Sequence, residues 1–291
     1  MQFLIYILIY PLLWCISMLP FRLLYLLSDV VCFVVYRIIG YRKVIVRENI
    51  SLALPHLSKE EQLLIERKFY THLCDIFLEM IKTITISRTE INKRYQFTNL
   101  QTYLELEKQG KSIALLCAHY ASYEWAVSMN HYINHTGYGI YKKLANPYFD
   151  KLVRKIRSKF KATLITTKET IPTIIENYKQ NKMSVYGFAT DQSPKISANT
   201  YWSTFMGIEV PVHTNPENLA KKYDMNVIFL RTRKIKRGFY EASFEKLVEN
   251  PKLSKEYEIT EKFLRLVEQQ ILEQPEYYLW THKRWKHKKQ F

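Results

Sequence analysis

A short apolar run that ends on a histidine constrains the fold of this 291-residue chain more than any other feature. The run from Ile113 to Ala118 has the length and composition of a buried strand, and Glu124 follows His119 as a new apolar pattern begins. Residues five apart on a continuous helix lie about 140° apart around its axis, so the two side chains can meet only across a turn. The pattern predicts a strand, a turn and a helix start, where the macrodipole favours the Glu124 carboxylate.

This arrangement indicates acid–base chemistry. A histidine whose ring is oriented by a carboxylate can act as a general base. We therefore predict that His119 is the base and that Glu124 orients its ring. Cys117 is the alternative nucleophile, but strand geometry places it about 6.6 Å from His119 along the strand, and apolar surroundings raise the pKa of a thiol.

Strands and helices alternate along the rest of the chain. Ala162 to Thr166 and Ser184 to Ala189 read as strands separated by a helix from Glu169 to Tyr178, and a further helix precedes a buried strand from Val227 to Leu230. The pattern predicts an α/β fold, a single domain whose central mixed, mostly parallel sheet is flanked by helices.

A second group of polar residues follows a strongly apolar strand. Thr190, Asp191 and Gln192 come directly after the strand that ends at Ala189. Open α/β sheets bind their ligands at the carboxyl ends of their strands. We expect Asp191 and Gln192 to line the same site as His119, with Asp191 orienting a partner there or serving only as a turn former.

The first 40 residues are strongly apolar. Phe3 to Phe21 contains no charged residue, and Leu23 to Tyr36 is interrupted only by Asp29. A membrane-spanning helix needs about 20 apolar residues, so the first stretch just qualifies, whereas the second is short enough to lie in the interface or to re-enter. The alternative is a buried helical hairpin in a soluble core. We predict a membrane anchor over residues 1–40 and the catalytic domain over residues 41–291.

The charge of the chain indicates an anionic partner and a cytoplasmic location. Several basic residues directly follow the apolar region, which by the positive-inside rule places the rest of the chain on the cytoplasmic side: Arg37, Arg42, Lys43 and Arg47. The formal net charge is +16, which suits anionic lipid, nucleic acid or an acidic carrier protein. The chain also ends on interleaved aromatic and basic residues, Tyr277 to Lys289, which suit a lipid headgroup region better than nucleobases because the N-terminus is apolar.

The sequence gives little support for a metal or a disulfide. His131 and His135 are four residues apart on the predicted helix that continues from Glu124 to Gly137, a spacing compatible with zinc, but no third ligand is indicated. We therefore predict no metal site. The four cysteines lie in apolar contexts without CxxC spacing, which is typical of buried thiols in a reducing compartment.

Taken in order, the motifs resemble the late acyltransferases of lipid A biosynthesis, within the glycerolipid acyltransferases that carry an H(x)4D/E box. The box here is His119 and Glu124. The other matching residues are Asn49, Ala53-Leu54-Pro55, Ser58-x-Glu60, Tyr141, Asn146-Pro147, Asp150, Arg157, Asp191-Gln192, Phe205-x-Gly207, Thr214 and Trp280-x-His282-x-Arg284-x-Lys286. The resemblance covers Asn49 to Lys286.

The resemblance implies a glycerolipid-acyltransferase-like fold and an O-acyltransferase at the cytoplasmic face of the inner membrane. The donor would be an acyl thioester of acyl carrier protein or CoA, with no further cofactor, and the acceptor an anionic lipid A precursor. Related acceptors, among them other glycolipids, aminolipids and lysophospholipids, stay open, as do a membrane-tethered nucleic-acid binder and an inactive scaffold. The implied substrate-binding residues are Arg157, Lys142, Asn146, Asp150, Asp191 and Gln192.

The chain departs from the family pattern at Lys142 and Lys143 of the proposed substrate site, and again at Lys161, where a glycine is common. Tyr141-Lys142-Lys143 stands where the family usually has Tyr-Arg-Pro. Lys142 keeps the positive charge but not the bidentate geometry of arginine, so its contact with an acceptor phosphate or sugar would differ. Arg157 is expected to contact the developing oxyanion or an acceptor phosphate, or to form a structural ion pair.

Overall fold

Four helices and a π-helical turn open the chain. The computed structural model describes residues 2–288, and Lys289, the last residue of the predicted aromatic and basic tail, lies outside them. The N-terminal elements are α1 (Gln2–Met18), α2 (Phe21–Phe33), the π turn Val34–Ile39, α3 (Lys43–Ala53) and α4 (Lys59–Lys82). α4 begins directly after Ser58, which forms a reciprocal capping box with Glu61: each side chain accepts the other's backbone N–H.

Strands and helices alternate after α4, as the sequence predicts. They are α5 (Arg88–Arg94), β1 (Tyr95–Phe97), α6 (Leu100–Glu107), β2 (Ile113–Cys117), a 3₁₀ helix (Tyr123–His131), β3 (Thr136–Tyr141), α7 (Pro147–Ser158), β4 (Thr163–Thr166), α8 (Thr170–Lys179), β5 (Ser184–Ala189), β6 (Trp202–Phe205), β7 (Ile208–Pro211), α9 (Asn215–Lys222), β8 (Asn226–Lys236), β9 (Phe239–Lys246), a 3₁₀ turn (Pro251–Leu253), α10 (Glu258–Glu273) and a 3₁₀ turn (Pro275–Tyr277).

The central sheet has seven strands in the order β1-β9-β8-β2-β5-β3-β4. Every neighbouring pair is parallel except β8 and β9, which form an antiparallel hairpin. β6 and β7 form a separate antiparallel pair. The predicted α/β fold with a mostly parallel sheet flanked by helices is confirmed. β2 lies at the centre, and its residues Ile113 to Leu116 are buried, which explains why this strand is a continuous apolar run.

The N-terminal helices present a large apolar surface to solvent. Among the residues with strongly exposed side chains are Leu4, Leu8, Leu12, Met18, Leu26, Val30, Phe33, Ile38 and Ile39. In the described part of the chain no one helix has both the length and the apolarity to cross a membrane; only the pair Phe21–Ile39 and Lys43–Ala53, bent by 93°, meets these requirements together. The stretch from Phe3 to Phe21 is divided, because α1 ends at Met18 and α2 begins at Phe21.

Buried charges join α2 to the rest of the fold. On α4, Asp75 accepts hydrogen bonds from Ser28 of α2 and from Arg237 in the β8–β9 turn. One turn further along α4, the Glu79 carboxylate accepts hydrogen bonds from Tyr25 of α2 and Tyr240 of β9. A buried carboxylate is tolerated only when it is paired and hydrogen-bonded, so these contacts set the position of α2 on the domain.

Candidate active site

The His119 ring is held by a buried aspartate. With its proton on Nδ1, the ring donates a 2.7 Å hydrogen bond to Asp191 Oδ1. The backbone N–H of His119 donates to the same oxygen at 3.1 Å. Asp191 is 1% exposed, whereas 21% of the His119 side chain is exposed. Nε2 is therefore the ring nitrogen that can accept a proton from a substrate.

The register of two parallel strands explains this pairing. β2 and β5 are neighbours, and Cys117 aligns with Ala189 at their carboxyl ends. His119 and Asp191 each lie two residues beyond this aligned pair, so both follow the same sheet edge. The expectation that Asp191 orients a partner at this edge is met, and that partner is His119.

The two groups stabilise each other's charged forms. Burial lowers the pKa of His119, but the charge and hydrogen bond of Asp191 outweigh this effect, and the pKa is raised overall. Burial raises the pKa of Asp191, but the His119 ring and backbone N–H outweigh it, and the pKa is lowered overall. The aspartate is thus ionised at neutral pH and stabilises the imidazolium that forms when His119 accepts a proton.

Glu124 has a different partner from the one we predict. It lies in the first turn of a helix, as expected, but its carboxylate accepts two hydrogen bonds from Arg157, from Nε at 2.8 Å and from Nη2 at 2.5 Å. The His119 ring donates its hydrogen bond to Asp191 instead. The reason is local: the segment after His119 forms a 3₁₀ helix from Tyr123 to His131 and directs Glu124 toward α7, which carries Arg157.

The same 3₁₀ helix also separates His131 from His135, which we predict to lie four residues apart on one helix. His131 is its last residue, and His135 lies in the connection to β3 rather than on the helix that we predict to reach Gly137. The four-residue helical spacing therefore does not bring them together. Among residues 2–288, no cluster of three or more histidine, cysteine, aspartate or glutamate side chains has the arrangement of a metal site.

A cavity of about 750 Å³ adjoins His119 and is lined by residues of β2, β3, β4 and β5. Its polar wall includes His119, Glu124, Arg157, Lys142 and Gln192. Its apolar wall is formed by side chains from β2, β4, β5, α4 and the 3₁₀ helix, among them Leu115, Leu164, Val185, Met80, Val127 and Met129. A pocket of this size with a few polar groups at one side is typical of a site for a small or medium-sized ligand.

Glycines leave room for this cavity. Of the seven glycines in the chain, Gly137, Gly139 and Gly187 lie on the face of β3 and β5 that lines it, and Gly139 aligns with Gly187. A Cβ added at Gly187 would meet no atom closer than 3.6 Å. A Cβ at Gly139 would approach Leu164 Cδ2 to 2.9 Å, and one at Gly137 would overlap Asn130, so Gly187 is the position of the three where the floor of the cavity has room for an added group.

A comparison with models of protein families identifies the family of this chain. The model of the bacterial lipid A biosynthesis acyltransferase family matches residues 1–287, nearly the entire chain. The chain belongs to this family. A comparison with curated proteins found no match. The family indicates an acyltransferase of lipid A biosynthesis. The matched range begins before Asn49, so it also includes α1 and α2.

Two of the expected substrate-binding residues of this acyltransferase support the connection from β3 to α7 instead. Asn146 caps α7, because its Oδ1 accepts from the backbone N–H groups of Tyr148 and Phe149. The Asp150 carboxylate accepts from the Tyr141 hydroxyl at 3.0 Å and from the Leu144 N–H at 2.9 Å. Both side chains thus shape the loop that carries Lys142, which is exposed and lines the cavity.

The C-terminal segment of the acyltransferase is packed against the site and not spread as an exposed aromatic tail. Tyr278, Trp280 and Trp285 are at most 3% exposed. The Leu279 N–H donates to the backbone carbonyl of His119, and Asn49 Nδ2 donates to the carbonyls of Trp280 and His282. The aromatic residues of the segment therefore belong to the core, and the segment braces the loop that carries His119.

Sequence reasoning assigned no role at the site to several residues that the fold brings there, among them His282, although it belongs to the matching C-terminal motif. His213 follows β7 and lines the cavity beside Thr190, and Tyr123 packs edge-on against the His119 ring at 5.1 Å between centroids. His282 Nε2 accepts from the Ser193 N–H, and burial lowers its pKa to about 4. No local pattern marks His213 or Tyr123, and the motif around His282 does not show what it contacts, because all three reach the site only through the packing of distant segments.

Proposed function

We propose that the protein transfers a fatty acyl chain from an acyl thioester to a hydroxyl group of a lipid A precursor or a related envelope glycolipid. His119 is the general base, and the donor rides on acyl carrier protein or CoA. The observation that carries the proposal is the pair formed by His119 and the buried Asp191 beside an apolar cavity of about 750 Å³. The pair supplies the base, and the cavity suits a hydrocarbon chain.

The chemical step is direct transfer. The acceptor oxygen attacks the thioester carbonyl carbon while His119 Nε2 takes the hydroxyl proton, and the imidazolium that forms is stabilised by Asp191. The C–S bond then breaks, the ester remains on the acceptor, and the leaving thiolate takes the proton from His119. General base catalysis of this kind contributes about 100- to 10,000-fold in rate.

A covalent intermediate on Cys117 has less support. Burial raises the pKa of the Cys117 thiol to about 12, and the Asp191 charge adds to this effect. A thiol with that pKa is protonated at neutral pH and is a poor nucleophile. An acyl thioester is already activated, so direct attack by the acceptor hydroxyl needs no enzyme-bound acyl group.

Positive charge beside the cavity suits the substrates. Arg157 and Lys142 line it, and α7 presents Lys151, Arg154 and Lys155 to solvent nearby. Phosphate groups of a lipid A precursor and the acidic surface of acyl carrier protein would both be attracted to these side chains. We assign Arg157 and Lys142 to the acceptor and expect Arg157 to stay oriented by Glu124 while it binds.

The exposed apolar surface of α1 and α2 supports a location at the cytoplasmic face of the inner membrane. Contiguous apolar patches of this kind mark contacts with membranes or partners. Arg22, Arg37 and Arg42 lie within or just after these helices, where they would meet anionic headgroups. In this arrangement the enzyme is held at the bilayer that contains its acceptor.

Mass spectrometry of envelope lipids tests the proposal. Cells that lack the gene are expected to lose one acyl group from a single lipid class, and the wild-type gene restores it whereas His119→Ala does not. Purified enzyme given the same acyl chain on acyl carrier protein or on CoA then identifies the donor. Unchanged lipids in the deletion strain, or full restoration by His119→Ala, would contradict the proposal.

A further inference from the structure

Two opposite charges are buried on segments that pack against each other. Asp191 and Arg284 are each 1% exposed, and they lie on the segments that follow β5 and α10. Ser193 joins these segments, because its Oγ donates a 2.6 Å hydrogen bond to the Arg284 carbonyl and its N–H donates to His282 Nε2 at 3.3 Å. The position of Arg284 is thus tied to the backbone that carries Asp191.

Only part of the Arg284 guanidinium is neutralised by hydrogen bonds. Nη1 donates to the Pro211 carbonyl at 3.1 Å, and the Phe205 ring centroid lies 4.9 Å from Cζ. Within residues 2–288, neither Arg284 Nε and Nη2 nor Asp191 Oδ2 has a hydrogen-bond partner, although all three atoms are buried. A buried cation is tolerated only near an opposite charge. Burial lowers the pKa of Arg284, and the Tyr278 hydroxyl and then the Asp191 carboxylate oppose this lowering.

The charges of the three groups favour a reactive state of His119. When His119 is neutral and Asp191 is ionised, the pair carries one negative charge in a buried position, which Arg284 balances. Without the charge of Arg284, the pKa of the pair would be higher, so His119 would be protonated, and unable to act as a base, over a wider range of acidic pH. We propose that Arg284 is a positioning residue of the acyl transfer, which acts through Asp191 to keep His119 neutral and Nε2 free to accept the proton.

The other groups that face Asp191 are neutral near pH 7, apart from the protonation of His119 itself. They are Cys117 of β2, Tyr123 of the 3₁₀ helix, His213 after β7, and Tyr278 and His282 of the C-terminal segment. Burial raises the pKa of the thiol and both phenols and lowers the pKa of both histidines. The charged groups Glu124 and Arg157 act on His119 but are paired with each other. Arg284 is thus the permanent cation that acts on Asp191 without a carboxylate partner of its own among the described residues.

The pH dependence of kcat/KM distinguishes this role from simple packing. In the full-length enzyme, Arg284→Met is expected to move the acidic limb to higher pH by about one unit, because the protonated pair is no longer opposed by a cation. The loss is then about tenfold at the acidic end and shrinks as the pH rises. Arg284→Lys keeps the charge and is expected to keep the limb near its wild-type position. Equal shifts in both variants, or a loss of rate without a shift, would overturn the proposal.

A stability measurement covers the case in which Arg284→Met does not fold well, and it needs no substrate. Asp191→Asn and Arg284→Met each leave one buried charge without its opposite, so each is expected to lower Tm, whereas the double variant removes both charges and should melt above either single variant. Additive losses in the double variant would refute the coupling. The rate assay rests on the proposed function, but the comparison of Tm among the single and double variants does not. A wild-type enzyme without transfer activity would reject the proposed function, and the Tm values would still decide whether the two charges are coupled.

Discussion

At the scale of single residues, the site depends on the alignment of two strand ends. Cys117 and Ala189 are paired, so the residues two positions beyond them, His119 and Asp191, leave the sheet side by side. A hydrogen bond of 2.7 Å then fixes the tautomer of the ring. Glu124 is free to hold Arg157, and the two carboxylates of the site have separate tasks.

The first prediction separates these two carboxylates. Asp191→Asn removes the charge that raises the pKa of His119, so the acidic limb of kcat/KM should move to lower pH, opposite to the shift expected for Arg284→Met. The maximal rate should fall about 100- to 10,000-fold, since the imidazolium loses its stabilising charge. The measurement is a pH series of acyl transfer by the full-length enzyme.

Glu124→Gln is the matched control, because it also replaces one site carboxylate by its amide. It frees Arg157, so we expect mainly weaker binding of the acceptor, seen as a higher KM, and a smaller change in the acidic limb. If Glu124→Gln moved the limb as far as Asp191→Asn does, the assignment of Asp191 as the orienting group would be wrong.

The residue types of the site were accessible from the sequence, but their partners were not. His119, Glu124, Arg157, Lys142 and Gln192 all line the cavity as expected. The contact between His119 and Asp191 spans 72 residues and depends on β5 lying next to β2, which an alternation of strands and helices does not specify. The spacing of His119 and Glu124 suggested that Glu124 orients the His119 ring. In the fold, the order of the strands brings the more distant Asp191 to the ring instead.

At the scale of elements, β3 and β5 carry glycines, which have no side chain, where they line the cavity. Gly139 and Gly187 stand opposite each other where most strands carry side chains, and Leu115 of β2 aligns with Gly187 on the other side. A strand glycine weakens local packing, so its presence marks a close approach by another group. At Gly139 that group is the Leu164 side chain, whereas at Gly187 we assign it to the acyl chain of the donor.

Filling this floor should change the preferred chain length. Gly187→Val adds a branched side chain where a Cβ meets no atom closer than 3.6 Å, so it should occupy cavity space without displacing the fold. One methylene in an apolar pocket is worth about 1 kcal/mol or more, so the preference for a shorter over a longer acyl donor should rise about tenfold or more. Competition between two thioesters of different chain length measures this ratio.

Ser243→Val is the control for added bulk in a strand. Ser243 lies on β9, away from the cavity lining, and is partly exposed. This variant should keep the wild-type chain-length ratio. An unchanged ratio in Gly187→Val, or an equal change in Ser243→Val, would mean that the cavity floor at Gly187 does not determine the preferred length of the acyl chain.

The C-terminal segment illustrates a limit of reading elements from composition. Interleaved aromatic and basic residues are typical of an interface with anionic lipid, and the exposed Lys283 and Lys286 fit that expectation. Trp280 and Trp285 are buried, however, and Asn49, more than 200 positions away in the sequence, holds the backbone between them. The composition indicated that the segment is amphipathic, but not which part of the fold its aromatic side chains pack against.

At the scale of the whole molecule, the sheet and the N-terminal helices were predicted with different success. Alternating strand and helix patterns follow from local periodicity, so the mostly parallel α/β fold could be predicted. The apolar N-terminus was expected to contain one stretch long enough to span a bilayer, but it is divided between α1 and α2, and α2 is joined to Asp75 and Glu79 of α4. Apolarity alone does not reveal where a helix breaks or what it packs against.

The division of the N-terminus leads to a prediction about membrane contact. Leu8 on α1 is 77% exposed and lies among other exposed apolar side chains, so it should enter the bilayer interface when the protein binds. Burial of a leucine is worth about 1.5–3 kcal/mol, so Leu8→Glu should weaken binding to anionic phospholipid vesicles about tenfold or more. Leu253, which is 82% exposed in the turn after β9, provides the control Leu253→Glu with the same change of charge. Vesicle sedimentation should show weaker binding only for Leu8→Glu, and equal losses for the two variants would show that added negative charge, not the α1 surface, governs binding.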